Sequence, residues 1–191
     1  CAVFGRLDMN QGIQSPPPGK CRVMDVMTAK DFKHIDTERV VEAMETIVAT
    51  APDVRVFNLS FGINPLDTFD EVTHREHLMK VQNLDNWAFA RDVLLVIAAG
   101  NSPLGLVPAK RYPGHVDDPR WKLTFEAHSF NGIVCGAYVD MPTSDAIAGD
   151  FGAPSPFTRI GPGLCESPVP GFSAPGGDSS DQYQPARATG P

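Results

Sequence analysis

The chain has no long apolar run, no excess of basic charge and no clustered cysteines, and each absence removes a class of function. Its hydrophobic stretches are far shorter than the ~20 residues a membrane-spanning helix needs, so no membrane segment is expected. Sixteen Lys and Arg stand against 23 Asp and Glu, a net charge of -7 with no concentrated basic patch. A nucleic-acid partner is therefore not expected. The cysteines, Cys1, Cys21, Cys135 and Cys165, are widely spaced and form no Cys-x-x-Cys. That excludes a zinc ribbon or a dithiol redox motif and leaves free thiols or two disulfides open.

What is present reads as one globular domain. Hydrophobic residues make up 42% and charged residues 20% of 191, enough for a sizeable core. Position 1 is Cys, and Cys1–Gly5 reads as the last turn of a helix; Ala186–Pro191 reads as a loop. The expectation is a single partial domain over 1–191, incomplete at both ends.

The most informative stretch is Val93-Leu-Leu-Val-Ile-Ala-Ala-Gly-Asn-Ser102. Its aliphatic run predicts a strand buried on both faces, as in a parallel sheet covered by helices. Its end delivers the Asn101 amide to the strand's carboxyl end, where α/β proteins place their ligands. An amide fixed there is a candidate donor to an oxyanion formed in acyl transfer. The alternative is that Asn101 serves only to tolerate a left-handed turn.

The rest of the chain alternates around this strand. Residues 21–27 and 54–60 read as strands, with a helix at 37–50 between them, capped by Asp36 and carrying Val40 or Val41, Met44, Ile47 and Val48 on one stripe. Thr68 and Glu71 have capping-box spacing and open a helix to about Arg91. That helix should direct Leu78, Val81, Leu84, Trp87 and Ala88 to the sheet. A further strand is expected at 132–139. Strand, helix, strand, helix, strand implies right-handed crossovers and a parallel α/β sheet.

Two stretches are aperiodic. Residues 103–131 read as loop with one short helix near Glu126. Residues 141–191 hold nine prolines and eight glycines. Against a flexible tail there, Phe157, Ile160, Phe172 and Ala174 recur between the turns, as in ordered loops packed on a core.

By topology, Ser60-Phe61-Gly62 and Gly100-Asn101-Ser102 fall along one edge. Asn58-Leu-Ser-Phe-Gly62 superficially matches a nucleophile elbow, Gly-x-Ser-x-Gly, but Asn58 is large and Pro65 and Asp67 separate Ser60 from the next helix. Ser60 is not expected to be a nucleophile. His74 and His77 sit three apart on a helix; a solvated face explains them better than a metal, since no third ligand is apparent. His34, His115 and His128 have no obvious acid partner.

Taken together, these segments resemble the subtilisin-like serine peptidases, the subtilase family. Cys21–Met27 looks like the strand after the catalytic-histidine helix, and Val56–Gly62 is similar to the Ile-Asn-Met-Ser-Leu-Gly strand lining the substrate cleft. Val96–Ser102 is similar to the Ala-Ala-Gly-Asn signature with the oxyanion-hole asparagine, and Asn131–Val139 to the Ile-Thr-Val-Gly-Ala strand. Phe157–Gly163 and Phe172–Gly177 resemble the Phe-Ser-x-x-Gly and Ala-Pro-Gly segments that lead toward the nucleophile. The likeness covers roughly 1–177. Val169-Pro-Gly171 departs from it where the family usually has Lys-Pro-Asp.

The resemblance implies a three-layer α/β fold and a serine endopeptidase acting on polypeptide substrate. It implies Asn101 in the oxyanion hole, with Ser60, Phe61, Gly62, Ala98, Ala99 and Gly100 binding substrate. His-Gly-Thr and Gly-Thr-Ser, which hold the base and nucleophile in the family, do not occur here. The triad is thus expected outside these residues, with 141–191 leading toward the nucleophile and the 191 residues alone inactive. A non-catalytic, subtilase-like peptide-binding or interaction module is the alternative. Members of the family often bind structural calcium, but no cofactor is assignable here; Asp117-Asp118 and Asp178–Asp181 read as solvated turns.

Overall fold

The computed structural model of the chain describes residues 37–63, 71–101, 112–118, 121–142 and 147–178. The expected strand at 21–27, the Asp36 cap, Thr68, Ser102 and the end of the chain beyond 178 lie outside the described residues. Helix α1 runs Thr37–Thr50, strand β1 Val56–Leu59, helix α2 Glu71–Arg91 and strand β2 Leu94–Ala98. Strands β3, Gly132–Tyr138, and β4, Phe172–Pro175, follow, with a 3-10 turn at Glu126–His128 before β3. All four strands pair in parallel in the order β1-β2-β3-β4. This is the helix-bearing parallel sheet expected of the sequence.

The register explains the core. Phe57 pairs with Leu95, Leu59 with Ile97, and Ile97 with Val134, so these side chains share one face. Val40 and Met44 of α1 and Leu84, Trp87 and Ala88 of α2 pack against them in one buried cluster. Phe57 and Trp87 meet edge to face, ring centroids 5.6 Å apart. The α2 stripe is Val81, Leu84, Trp87 and Ala88, spaced as a helix requires, with Leu78 half-buried at its edge.

The other face differs from the expectation. Leu95 and Ile97 are fully buried, but Leu94 is 37% exposed and Val96 and Ala98 are half-buried. Helices α1 and α2 both pack on the face that carries Leu95 and Ile97, and β2 is half-buried to exposed on its other face. The second face carries Val56 and Phe172, both mostly exposed.

Two local devices join α2 to the strands that follow it. At its C-terminus Asp92 adopts φ 53°, and the N–H groups of Asp92 and Val93 donate to Phe89 and Ala88 carbonyls. This is a Schellman closure that turns the chain directly into β2, with Asp where glycine is usual. Nearer the middle, buried Asp85 interrupts the apolar stripe. Its carboxylate accepts from the Ser129 hydroxyl, the Phe130 N–H (2.8 Å) and the Asn131 N–H (3.3 Å), while Asn131 Nδ2 donates to the Asp85 carbonyl. Asp85 thereby fixes the turn that launches β3.

Residues 147–178 pack back on the sheet, but their anchors are not the apolar residues expected. Phe172 and Ala174 are exposed and Phe157 and Ile160 half-buried, whereas Ser155, Thr158 and Arg159 are buried. Ser155 donates its hydroxyl to Gly177 O (2.6 Å), and Thr158 Oγ1 accepts from Ala137 N–H (3.0 Å). Asp178 accepts from the N–H groups of Ala148 and Gly149, tying a loop where a solvated turn was expected. Polar side chains close this loop-rich region because each satisfies backbone that no ladder reaches.

Replacing Asp85 by Ala leaves three donors around it unsatisfied. The expected loss is on the order of 3 kcal/mol of unfolding free energy, read from urea denaturation. A variant as stable as wild type would remove Asp85 from this role.

Candidate active site

Beyond Leu59 and Ala98, β1 and β2 no longer pair with each other, and the chain separates into two walls. Between them lies a cleft of about 300 Å³. Ser60, Phe61 and Gly62 line one side and Ala98, Gly100 and Asn101 the other, with Thr124 and Arg159 closing the gap. Six of the seven residues expected at the site therefore come together. Ala99 does not line the cleft: period-two alternation turns its side chain into the core, where it is 1% exposed.

Each wall is held by the segment 121–126, and the second also by β3, where Ala99 N–H donates to Cys135 O (2.9 Å). On the first side, Phe125 N–H donates to Ile63 O (3.0 Å) and Ile63 N–H donates to Glu126 Oε2 (2.8 Å). On the second, Thr124 N–H donates to Ala99 O (3.3 Å). Arg159 completes that wall. Its N–H donates to Gly100 O (3.2 Å), its Nε to Asn101 O (2.6 Å) and its Nη1 to Lys122 O (2.6 Å). Asn101 also forms an antiparallel bridge with Thr158.

With its carbonyl held, Asn101 leaves its side chain exposed, and the amide makes no hydrogen bond to another described residue. Gly100 precedes it at φ 99°, where a side chain is strained, and a Cβ there would lie 2.5 Å from Thr124 Cγ2. The small residues of the Ala-Ala-Gly-Asn stretch are thus required by close approach and not only by turn geometry.

Ser60 is exposed, and its Oγ accepts from Asn58 Nδ2 at 2.9 Å. α2 begins only at Glu71, well past Ser60, so the strand-to-helix turn of a nucleophile elbow is absent. His74 and His77 pack their rings on Phe125, at 4.9 and 4.7 Å between centroids. His128 lies behind them, its Nδ1 3.0 Å from Thr124 O, and burial lowers its pKa. The histidine pair thus braces the 121–126 segment through Phe125. No group of three or more His, Cys, Asp or Glu among the described residues could hold a metal. The side chain of His115 and all of His34 lie outside the described residues. No described helix is long and apolar enough to cross a membrane.

Sequence reasoning missed Thr124, Glu126 and Arg159. All three are polar residues in aperiodic stretches, and nothing in the local pattern marks them as buried. Glu126 is fully buried and also accepts from Thr37 Oγ1 at 3.1 Å, joining the start of α1 to the wall at Ile63. Burial pushes its carboxyl above the ordinary 4.5, outweighing the Ile63 and Thr37 donors that favour the anion.

A pKa raised on folding means that the native state holds this proton more tightly. That stabilisation is full below the unfolded value and is lost as pH rises through the folded one. Wild type should therefore lose more stability than Glu126→Gln between pH 4.5 and neutrality, measured by urea midpoints across that range. Parallel curves for the two proteins would exclude Glu126 as the titrating group.

The sequence profile of the Subtilase family matches residues 20–190. A comparison with curated protein sequences finds no significant match. Among solved structures, a lanthipeptide protease is similar at 22% identity and TM-score 0.49, over 80% of this chain and 38% of that one. A psychrophilic protease is similar at 19% identity and TM-score 0.46, over 78% of this chain and 45% of that one. The chain spans less than half the length of either protease. On the extent of the profile match, which takes in both walls of the cleft and the segment between them, the chain belongs to the subtilase family.

Proposed function

We propose that this domain forms the substrate cleft and the side-chain oxyanion donor of a serine endopeptidase that cleaves polypeptides. The observation that carries the reading is the Asn101 amide, exposed at the mouth of a cleft whose two walls are pinned from behind. His-Gly-Thr and Gly-Thr-Ser do not occur in the 191 residues, so in this reading the base and nucleophile are supplied from elsewhere.

The chemistry is acyl transfer. A serine oxygen bonds to the peptide carbonyl carbon, its proton passes to a histidine, and the carbonyl electron pair moves onto oxygen. Asn101 Nδ2–H and a backbone N–H donate to that oxyanion as it forms. Collapse expels the amine, which takes the proton from histidine, and water then releases the acyl group. Arg159 and Thr158 hold the Asn101 backbone, so the point from which its amide reaches into the cleft is fixed before charge develops.

Extended substrate pairs alongside Ser60, Phe61 and Gly62. Phe61 and Gly62 make no backbone hydrogen bond to another described residue, which leaves an edge for strand addition. Ala98 and Gly100 wall the space for the side chain before the scissile bond. Ala99 supports this wall from the core side and does not touch substrate.

In the full-length protein, Asn101→Ala should lower kcat by about 10²–10³ with little change in KM, the magnitude being that known for such a donor in a subtilisin itself. Equal turnover by variant and wild type would sink the assignment. The 191-residue chain alone should not react with a fluorophosphonate probe. Labelling at a serine would show a nucleophile within it and bring Ser60 back as the candidate. Peptide binding without cleavage by the full-length protein would instead support a non-catalytic relative.

A further inference from the structure

One residue grips the chain on both sides of Asn101. The Arg159 N–H donates to Gly100 O at 3.2 Å, and its Nε donates to Asn101 O at 2.6 Å. The first carbonyl lies in the peptide plane that enters Asn101 and the second in the plane that leaves it. A residue has only two soft backbone torsions, one to each of these planes. With both carbonyls held from a single anchor, the Cα–Cβ bond of Asn101 has a set direction, and only its side-chain torsions remain. From this geometry we propose that Arg159 is a positioning residue for turnover: it aims the Asn101 amide at the oxyanion through the backbone, not by touching substrate. The inference rests on the peptidase reading above and adds a residue on which that site depends.

The anchor is itself held on every side. Arg159 is 2% exposed, and its Nη1 donates to Lys122 O at 2.6 Å. Before it, Thr158 is tied to β3, its Oγ1 accepting from Ala137 N–H at 3.0 Å. After it, Ile160 N–H donates to Trp121 O at 3.1 Å, and Lys122 Nζ donates to Gly161 O at 3.1 Å. Residues 121–122 and 159–161 therefore hold each other. The aliphatic stem of Arg159 lies against Gly100, where a Cβ would fall 2.8 Å from its Cδ. The side chain reaches Asn101 only because that glycine leaves the space.

The guanidinium fork suits this role. Its Nε and Nη1 donate in different directions from one rigid plane, so a single side chain holds the carbonyls of Asn101 and Lys122 together. A lysine ammonium keeps the charge but is one point on a flexible stem, and it cannot hold both carbonyls in a fixed arrangement. The plane leaving Asn101 would then be free to turn, and the amide would lose its aim. Misplacing a catalytic group by about 1 Å costs up to about 10²-fold in rate. That loss falls on the transition state, because extended substrate pairs along the opposite wall.

The test measures kcat and KM of the full-length protein on one peptide, per active site titrated with a fluorophosphonate, so that unfolded protein is not counted. Arg159→Lys should lower kcat about tenfold and leave KM within about twofold. In an Asn101→Ala background the same substitution should change kcat by less than about twofold, because the donor it acts through is gone. Arg159→Gln, without the charge, should match Arg159→Lys, which assigns the effect to the fork. Wild-type turnover by Arg159→Lys, an effect on KM alone, an equal loss of kcat in both backgrounds, or no titratable site with either variant would overturn the positioning role. In those cases a low kcat for Asn101→Ala leaves the peptidase reading standing. If Asn101→Ala turns over as wild type does, or wild type cleaves no peptide, that reading falls and this inference with it.

Discussion

The cleft depends on one constraint: where β1 and β2 stop pairing, their ends must find hydrogen-bond partners that are not each other. A parallel ladder satisfies backbone only as long as the strands run side by side. Past Leu59 and Ala98 the chain needs substitutes, and it finds them in residues 121–126 and 158–159. Phe125 and Glu126 bond Ile63, Thr124 bonds Ala99, and Arg159 bonds Gly100, Asn101 and Lys122. Without these ties the first wall would be an unsupported loop and the second would keep only the Ala99 bond to β3. With them, the gap has a fixed width.

The supports are charged or polar groups taken out of water, and they are placed where apolar packing could not do the same work. Glu126 reaches both α1, through Thr37, and the wall at Ile63. Arg159 offers a rigid fork of donors, suited to binding carbonyls that point in different directions. Asp85 does the equivalent for the turn into β3. In each case one side chain organises backbone from a distant part of the chain. That is why all three are buried, and why removing any of them leaves several partners unmet rather than one.

How much of this could be read in the sequence follows from the same physics. Period carried the elements: the 40, 44, 47/48 stripe found α1, the stripe from Val81 to Ala88 found α2, and the aliphatic runs found β1, β2 and β3. The Ala-Ala-Gly-Asn stretch and the Ser-Phe-Gly end of β1 placed the two walls, because strand ends on one edge are set by topology alone. Ala99 was assigned to the wrong side because a wall was read as a run of residues, whereas a strand alternates its faces. The difference in burial between the two faces of β2 was also not legible, since a continuous aliphatic run does not say which face α1 and α2 pack on. Thr124, Glu126 and Arg159 stayed hidden because what buries them is a partner tens of residues away, and no local period records such a partner.

The strand order carries a consequence for how the domain comes into being. Each strand pairs with the one before it, so the sheet can grow in one direction as the chain is synthesised, every newcomer finding a finished edge. The cleft cannot keep that pace. Asn101 waits for Arg159, 58 residues further along, before its carbonyl is held. Strands β1 to β3 can therefore be laid down before the cleft is locked, and a nascent chain carries most of its scaffold for some time before the Asn101 backbone is held.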